Sequence, residues 1–211
     1  MKLPRFQETY KVTSVEVEDD QEILLPLPDL VGQTAYEHFL RNFSGASFNN
    51  GVYRVHQLKA SAKWNREVQS AFPEFSKRIW CFGYDWLGRH FALDTGRIEG
   101  GQPQVLLLEP GTGEALEIPS DLMGFHENVL IEMADAAVAS EGFKKWFSGQ
   151  AAALKHSECV SYKVPLFLGG SDTPDNFEVS DMEVYWSICS QLLEKTRNLP
   201  PGTSIGSVKI Q

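Results

Sequence analysis

The chain has 211 residues, 42% of them hydrophobic and 22% charged, which is enough apolar matter for a packed core and excludes a disordered chain. Its formal net charge of -9 disfavours nucleic acid and anionic membranes as partners, and suits either plain solubility or a basic protein surface. No stretch approaches the ~20 apolar residues of a membrane-spanning helix, and no signal-peptide pattern follows Met1, so a soluble protein of the cytoplasm is expected.

Residues 1 to 22 are polar, and Tyr10 to Val17 alternates only in part, predicting a short strand or an extended arm. An acidic run follows in Glu16, Glu18, Asp19, Asp20 and Glu22, and Pro26 and Pro28 interrupt the apolar Ile23–Leu25. A helix is predicted after Asp29, because Tyr36, Phe39, Leu40 and Phe43 recur at three- and four-residue spacings. It stops in the Ser- and Asn-rich stretch before the turn signal Asn50-Gly51, and Val52 to Val55 reads as a short strand. Ala60 to Ala71 is predicted helical, with Trp64 and Val68 four apart, ending before Pro73.

The middle is strand-rich. Ile79–Tyr84 and His90–Leu93 flank a hairpin-like turn, residues 96 to 103 read as a loop, and Gln104–Glu109 is a near-continuous apolar strand. Pro110 to Gly113 turns the chain towards a candidate partner strand over Ala115–Ile118. This order predicts an antiparallel meander and an α+β class, with no doubly wound alternation. A helix is predicted over Asp121–Ala139, another through Phe143, Trp146 and Phe147 with a continuation to Leu154. Val160–Leu168 reads as extended, with Pro165 marking an edge or interruption. Asp181 is expected to cap a helix whose apolar face carries Val184, Tyr185, Ile188, Cys189, Leu192 and Leu193. A last strand is expected over Ser204–Ile210. Boundaries near residues 75 and 155 lack a polar linker, so one unit is preferred.

Cys81, Cys159 and Cys189 are odd in number and widely spaced, which predicts buried free thiols rather than disulfides or a zinc ribbon. His38, His56, His90, His126 and His156 make no metal-ligand spacing and read as surface or locally bonded groups. Dinucleotide, Walker and nucleophile-elbow motifs are missing from the sequence, so no cofactor is expected. The strongest catalytic suspects are Asp85, Arg89, His90 and Asp94, clustered around Tyr84 and Trp86, with either carboxylate as an acid or base beside His90. Strand parity weakens that reading. Phe91 and Leu93 claim the buried face, which leaves His90 towards solvent or a partner. Glu178, Asp181 and Glu183 form a second acidic group, of which the last two are explained by a helix start.

Three stretches carry a resemblance. They are GASFNNGVYR over 45–54, FGYDWLGRHFALD over 82–94, and VPLFLGG over 164–170 continued by Asn176-Phe177-Glu178 and by Glu183 to Trp186. Together they resemble the GAD-like and SUKH-related immunity proteins of bacterial type VI secretion systems. The resemblance implies a mixed sheet flanked by helices over residues 26–211 as a single domain, with residues 1–25 as an N-terminal arm or edge strand outside it. It also implies a non-enzymatic protein that binds a cognate toxin and masks or distorts its active region. Toxins of such systems include nucleases, deaminases and NAD(P)-consuming enzymes. Turn positions supply the candidate protein contacts: Asn49, Asn50, Asp85, Trp86 and Arg89, with Trp86 either an exposed anchor or folded back into the core. The competing functions are a regulatory or scaffold binding module of the same fold, and an enzyme whose site is assembled from distant residues.

Overall fold

The computed structural model describes residues 2–16, 33–200 and 203. The strands of the middle pair with their chain neighbours into a seven-stranded antiparallel meander. Its members are β1 (Val12–Val15), β2 (Ala46–Phe48), β3 (Tyr53–Val55), β4 (Ile79–Asp85), β5 (His90–Glu99), β6 (Gln102–Glu109) and β7 (Glu114–Ile118). The register sets Phe91 opposite Leu107 and Leu93 opposite Val105 on one face, and His90 opposite Leu108 and Ala92 opposite Leu106 on the other. A separate hairpin joins β8 (Glu158–Tyr162) to β9 (Phe177–Asp181). Helices and a large antiparallel sheet together make the expected α+β class.

Both faces of the sheet are covered. On the first, Phe82, Phe91, Leu93, Val105 and Leu107 pack against Leu3 and Phe6 of the N-terminal segment, Phe39 and Leu40, Phe125, Val138 and Phe143. These come from α1 (Pro4–Thr9), α2 (Gln33–Phe43), a winding built of α4 (Leu122–Gly124), α5 (Leu130–Glu132) and α6 (Ala134–Val138), and α7 (Ser140–Phe147). On the second, Cys81, Tyr84, Ala92, Leu106 and Leu108 meet Trp64 and Val68 of α3 (Ser61–Ala71), and Tyr185, Trp186, Cys189 and Leu192 of α8 (Met182–Thr196). Each fully buried large side chain contributes on the order of 1.5–3 kcal/mol, which explains why β6 is apolar along both of its faces. The three cysteines are buried free thiols.

The structure departs from several expectations. The polar beginning of the chain holds α1, with Pro4 in its first turn and Phe6 buried. The loop expected over 96–103 is instead the tip of the β5–β6 hairpin, turning at Gly100 and Gly101, both at positive φ, as a two-residue hairpin turn requires. The helix expected over 121–139 starts where Asp121 accepts the Gly124 amide at 2.7 Å, but a π-turn over Phe125–Val129 and a break at Met133 interrupt it. Residues 151–154 do not extend α7, and the extended run after Glu158 ends as a strand at Tyr162. On α8 Val184 points outward and Trp186 takes the core place instead. The strand expected over 204–210 lies outside the described residues. No described helix is long and apolar enough to cross a membrane.

His90 is the sharpest correction. Parity places it opposite Phe91 as expected, but that face is not solvent: the ring is fully buried between Trp64 and Trp186, with centroids 4.7 and 4.8 Å away. His56 and His126 are buried as well, so three of the histidines are core groups. Burial holds His90 and His126 down at about 3, although each also donates through Nδ1 to a backbone carbonyl, Gly88 and Leu122 respectively. Both rings are therefore neutral at physiological pH.

Candidate functional site

The turn between β4 and β5 is tied by its own sequence. Asp85 Oδ1 accepts the amides of Leu87 and Arg89 at 3.0 and 3.1 Å, while Oδ2 takes Arg89 Nε at 2.7 Å. Gly88 sits at φ +73°, and a Cβ there would lie 3.0 Å from Cys159 Sγ, so only glycine fits without strain. The Gly88 carbonyl accepts the Trp186 indole at 2.8 Å. Trp86 Nε1 donates to the Val138 carbonyl at 2.9 Å, and the Val160 amide donates to the Trp86 carbonyl at 2.8 Å. The turn is thus a junction of α6, β8 and α8 with the sheet. Its residues are buried for that reason: Asp85 0%, Trp86 1% and Arg89 8% exposed. Trp86 is the folded-back ring, not the exposed anchor.

The acid–base pairing has no geometry here. Asp85 is committed to Arg89, Asp94 to Arg78 through bonds of 2.7 and 2.6 Å, and His90 to the Gly88 carbonyl. Burial raises the Asp85 carboxyl against the pull of Arg89 and the two amides. Among the described residues no group of histidines, cysteines and carboxylates is arranged to hold a metal ion.

What the structure brings together is a pair of grooves on either side of α7. The larger, of 720 Å³, has Trp86, Arg89 and Glu109 at its floor. Gly142, Lys145 and Trp146 of α7 form one wall, and Tyr162, Leu166, Asp172 and Phe177 from around the β8–β9 hairpin form the other. Trp86 stands 5.7 Å from Trp146 and 6.2 Å from Phe177, and Tyr162 stands 5.5 Å from Phe177, centroid to centroid. The second groove, of 510 Å³, is lined by Asn49, Asn50 and Val52 together with Phe143, Lys144 and Phe147 of the same helix. Asn49 and Asn50 both hold positive φ, 46° and 62°, a backbone that asparagine tolerates better than most residues. Asn49 also braces the N-terminal segment, accepting the Lys11 amide at 2.8 Å. Four of the five sequence-derived contact residues, Asn49, Asn50, Trp86 and Arg89, therefore line one groove or the other, and Asp85 lines neither. The helix α7 was expected from the sequence, but none of its residues is among those candidate contacts. Its signal was the aromatic spacing Phe143, Trp146, Phe147 with Lys144 and Lys145 between.

In the larger groove, Glu109 Oε2 lies 4.0 Å from Arg89 Nη1, too far for a hydrogen bond. Burial raises the Glu109 carboxyl, and Arg89 pulls against it. Asp172 Oδ1 accepts the Tyr162 hydroxyl at 2.9 Å.

Comparison with known proteins bears on this same face. A comparison with curated proteins found no match. The crystal structure of Atu4351 from Agrobacterium tumefaciens is similar in fold, with a TM-score of 0.56 and 14% identity over 90% of this chain and 89% of that one. Residues 143–193 match the family model described as "T6SS immunity protein Tdi1, C-terminal", a segment that runs from within α7 through the β8–β9 hairpin into α8 and includes Lys145 and Trp146 of one groove wall and all the named residues of the other. In that segment the chain is similar to the type VI secretion immunity proteins.

Proposed function

We propose that this chain is an immunity protein that acts without catalysis, by binding a cognate toxin through α7 and its two flanking grooves and so masking or distorting the toxin's active region. The observation that carries the reading is the coincidence of the immunity-family match with the walls of the larger groove. Supporting it, the exposed side chains of α7 stand between two concave apolar surfaces, the form in which a few anchoring residues of a partner are desolvated most effectively. The net charge of -9 favours a toxin with a positive active region, as a nuclease or nucleotide-consuming enzyme has. The narrower GAD-like and SUKH-related grouping is part of this proposal, and rests on the strings over 45–54, 82–94 and 164–186. A protein that masks its target needs slow release more than any chemistry of its own.

Co-expression with the toxin encoded beside it tests the reading. Restored growth and a complex that survives purification are the expected results. Failure of every adjacent toxin candidate to be neutralised or bound would refute it.

A further inference from the structure

We propose that the larger groove is a seat for an arginine side chain of the protein partner, with its guanidinium held by Glu109 and Asp172 between the rings of Trp86, Trp146, Tyr162 and Phe177. This inference rests on the immunity reading for the source of the arginine, and on the groove's own chemistry for everything else.

The charges of the groove do not balance internally. Arg89 is committed to Asp85 and to the Ala137 carbonyl, so Asp85 answers its charge. That leaves Glu109 and Asp172 against Lys145, an exposed side chain with no ion pair among the described residues. Glu109 has no hydrogen bond to its carboxylate among the described residues, only Arg89 at 4.0 Å. Asp172 uses Oδ1 for Tyr162, and no described residue bonds Oδ2. Covering two carboxylates with an apolar peptide would strip their water and return nothing. An anionic ligand would add a like charge. A cation with several in-plane donors meets both needs.

The walls select among cations. Trp146, Tyr162 and Phe177 wall the groove above Trp86 at its floor, with centroid separations of 5.5 to 6.2 Å between neighbours. Aromatic faces attract cations, and guanidinium stacks on them while it bonds carboxylates through its edge. A lysine ammonium is more strongly hydrated and gains less from such walls. The groove's 720 Å³ falls in the range of small-ligand sites.

The test uses the full chain with indole nitrogens labelled, titrated in the millimolar range with N-acetyl-arginine amide, its neutral isostere N-acetyl-citrulline amide, and N-acetyl-lysine amide. The expected result is a saturable shift confined to the Trp86 and Trp146 indole signals, strongest with the arginine compound and lacking with citrulline. Glu109→Gln should weaken it at least tenfold. Because Glu109 also faces Arg89, Asp172→Asn serves as a second variant, and near-UV circular dichroism establishes that both are folded. Equal shifts from arginine and citrulline, no shift at all, or titrations unchanged in both folded variants would overturn the seat. Growth protection against the neighbouring toxin separates the two proposals. Protection without an arginine-specific shift sinks the seat alone, and a specific shift without protection sinks the immunity reading alone.

Discussion

The buried histidines make the protein acid-sensitive by an amount that can be worked out. His126 accepts the Tyr53 hydroxyl at 2.9 Å on Nε2 and donates through Nδ1 to the Leu122 carbonyl, so a second proton would displace the Tyr53 bond inside an apolar core. Burial holds its folded-state pKa at about 3, against 6.5 for the free side chain. The folded protein therefore binds fewer protons than the unfolded chain below pH 6.5. The stability this group contributes is fully present above 6.5 and is lost as the pH falls towards 3. At pH 5 the unfolded chain has gained about 1.5 pH units of protonation free energy at this site, about 2 kcal/mol. That figure barely changes for any folded-state value well below 5. His90, also at about 3, adds about the same, and the two together remove about 4 kcal/mol from a stability of order 5–15 kcal/mol. Urea unfolding at pH 8, 6.5 and 5 reads it directly. The double variant Tyr53→Phe/His126→Phe removes the titrating ring without orphaning the phenol, so its loss between pH 8 and 5 should be about 2 kcal/mol smaller than that of the parent chain. Superimposable pH profiles of parent and variant, or a His126 ring titrating near 6.5 in the folded protein, would refute the reasoning.

Other substitutions probe the junction and the surface charge. Asp85→Ala strands a buried guanidinium and should cost about 3–5 kcal/mol in urea unfolding; a loss under 1 kcal/mol would mean Arg89 finds another partner. Gly88→Ala meets Cys159 and a positive φ, and should cost about 1–3 kcal/mol, seen as a fall in thermal midpoint. Asp181 accepts the Val184 amide at 3.0 Å at the head of α8, so Asp181→Ala should cost about 1 kcal/mol; an unchanged unfolding midpoint would show that the cap contributes nothing. Association with the toxin should slow as salt rises, because the charge of -9 steers a basic partner; stopped-flow rates insensitive to ionic strength would sink the steering idea.

Periodicity made part of this structure legible before any coordinates. The spacing of Tyr36, Phe39, Leu40 and Phe43 located α2, Trp64 and Val68 located α3, and the apolar runs located the meander. What stayed hidden depended on contacts far along the chain. Of the six residues of α1 only Phe6 is buried, too few to show a period. Ala- and Glu-rich sequence fixes helix propensity, yet it does not set the hydrogen-bond register, so the π-turn after Gly124 left no trace. β9 exposes three of its five side chains, and no strand was expected there. His90 was assigned its correct face, but alternation cannot reveal what covers a face, and α3 and α8 cover that one. For Trp86 the sequence left an exposed anchor and a folded-back ring open; its burial comes from α7 and β8, about 55 to 75 residues later in the chain.

The two tryptophans of the larger groove separate folding from binding within one site. Trp86 is buried, bonded to the Val138 carbonyl and in contact with Phe143 of α7, so Trp86→Ala removes core volume and should cost about 3–5 kcal/mol of stability. Trp146 lies 5.7 Å from it but is only half-buried, so Trp146→Ala forfeits much less on folding. Its ring also lines the groove, where an arriving partner completes its burial. If α7 and its grooves form the contact face, Trp146→Ala should weaken the toxin complex by about 2 kcal/mol or more while the unfolding midpoint moves little. Trp86→Ala should do most of its damage through the folded fraction. Titration calorimetry and urea unfolding on both variants decide the matter. Were Trp146→Ala to bind the toxin as tightly as the parent chain, the contact face would have to be moved away from this groove, whatever became of Trp86.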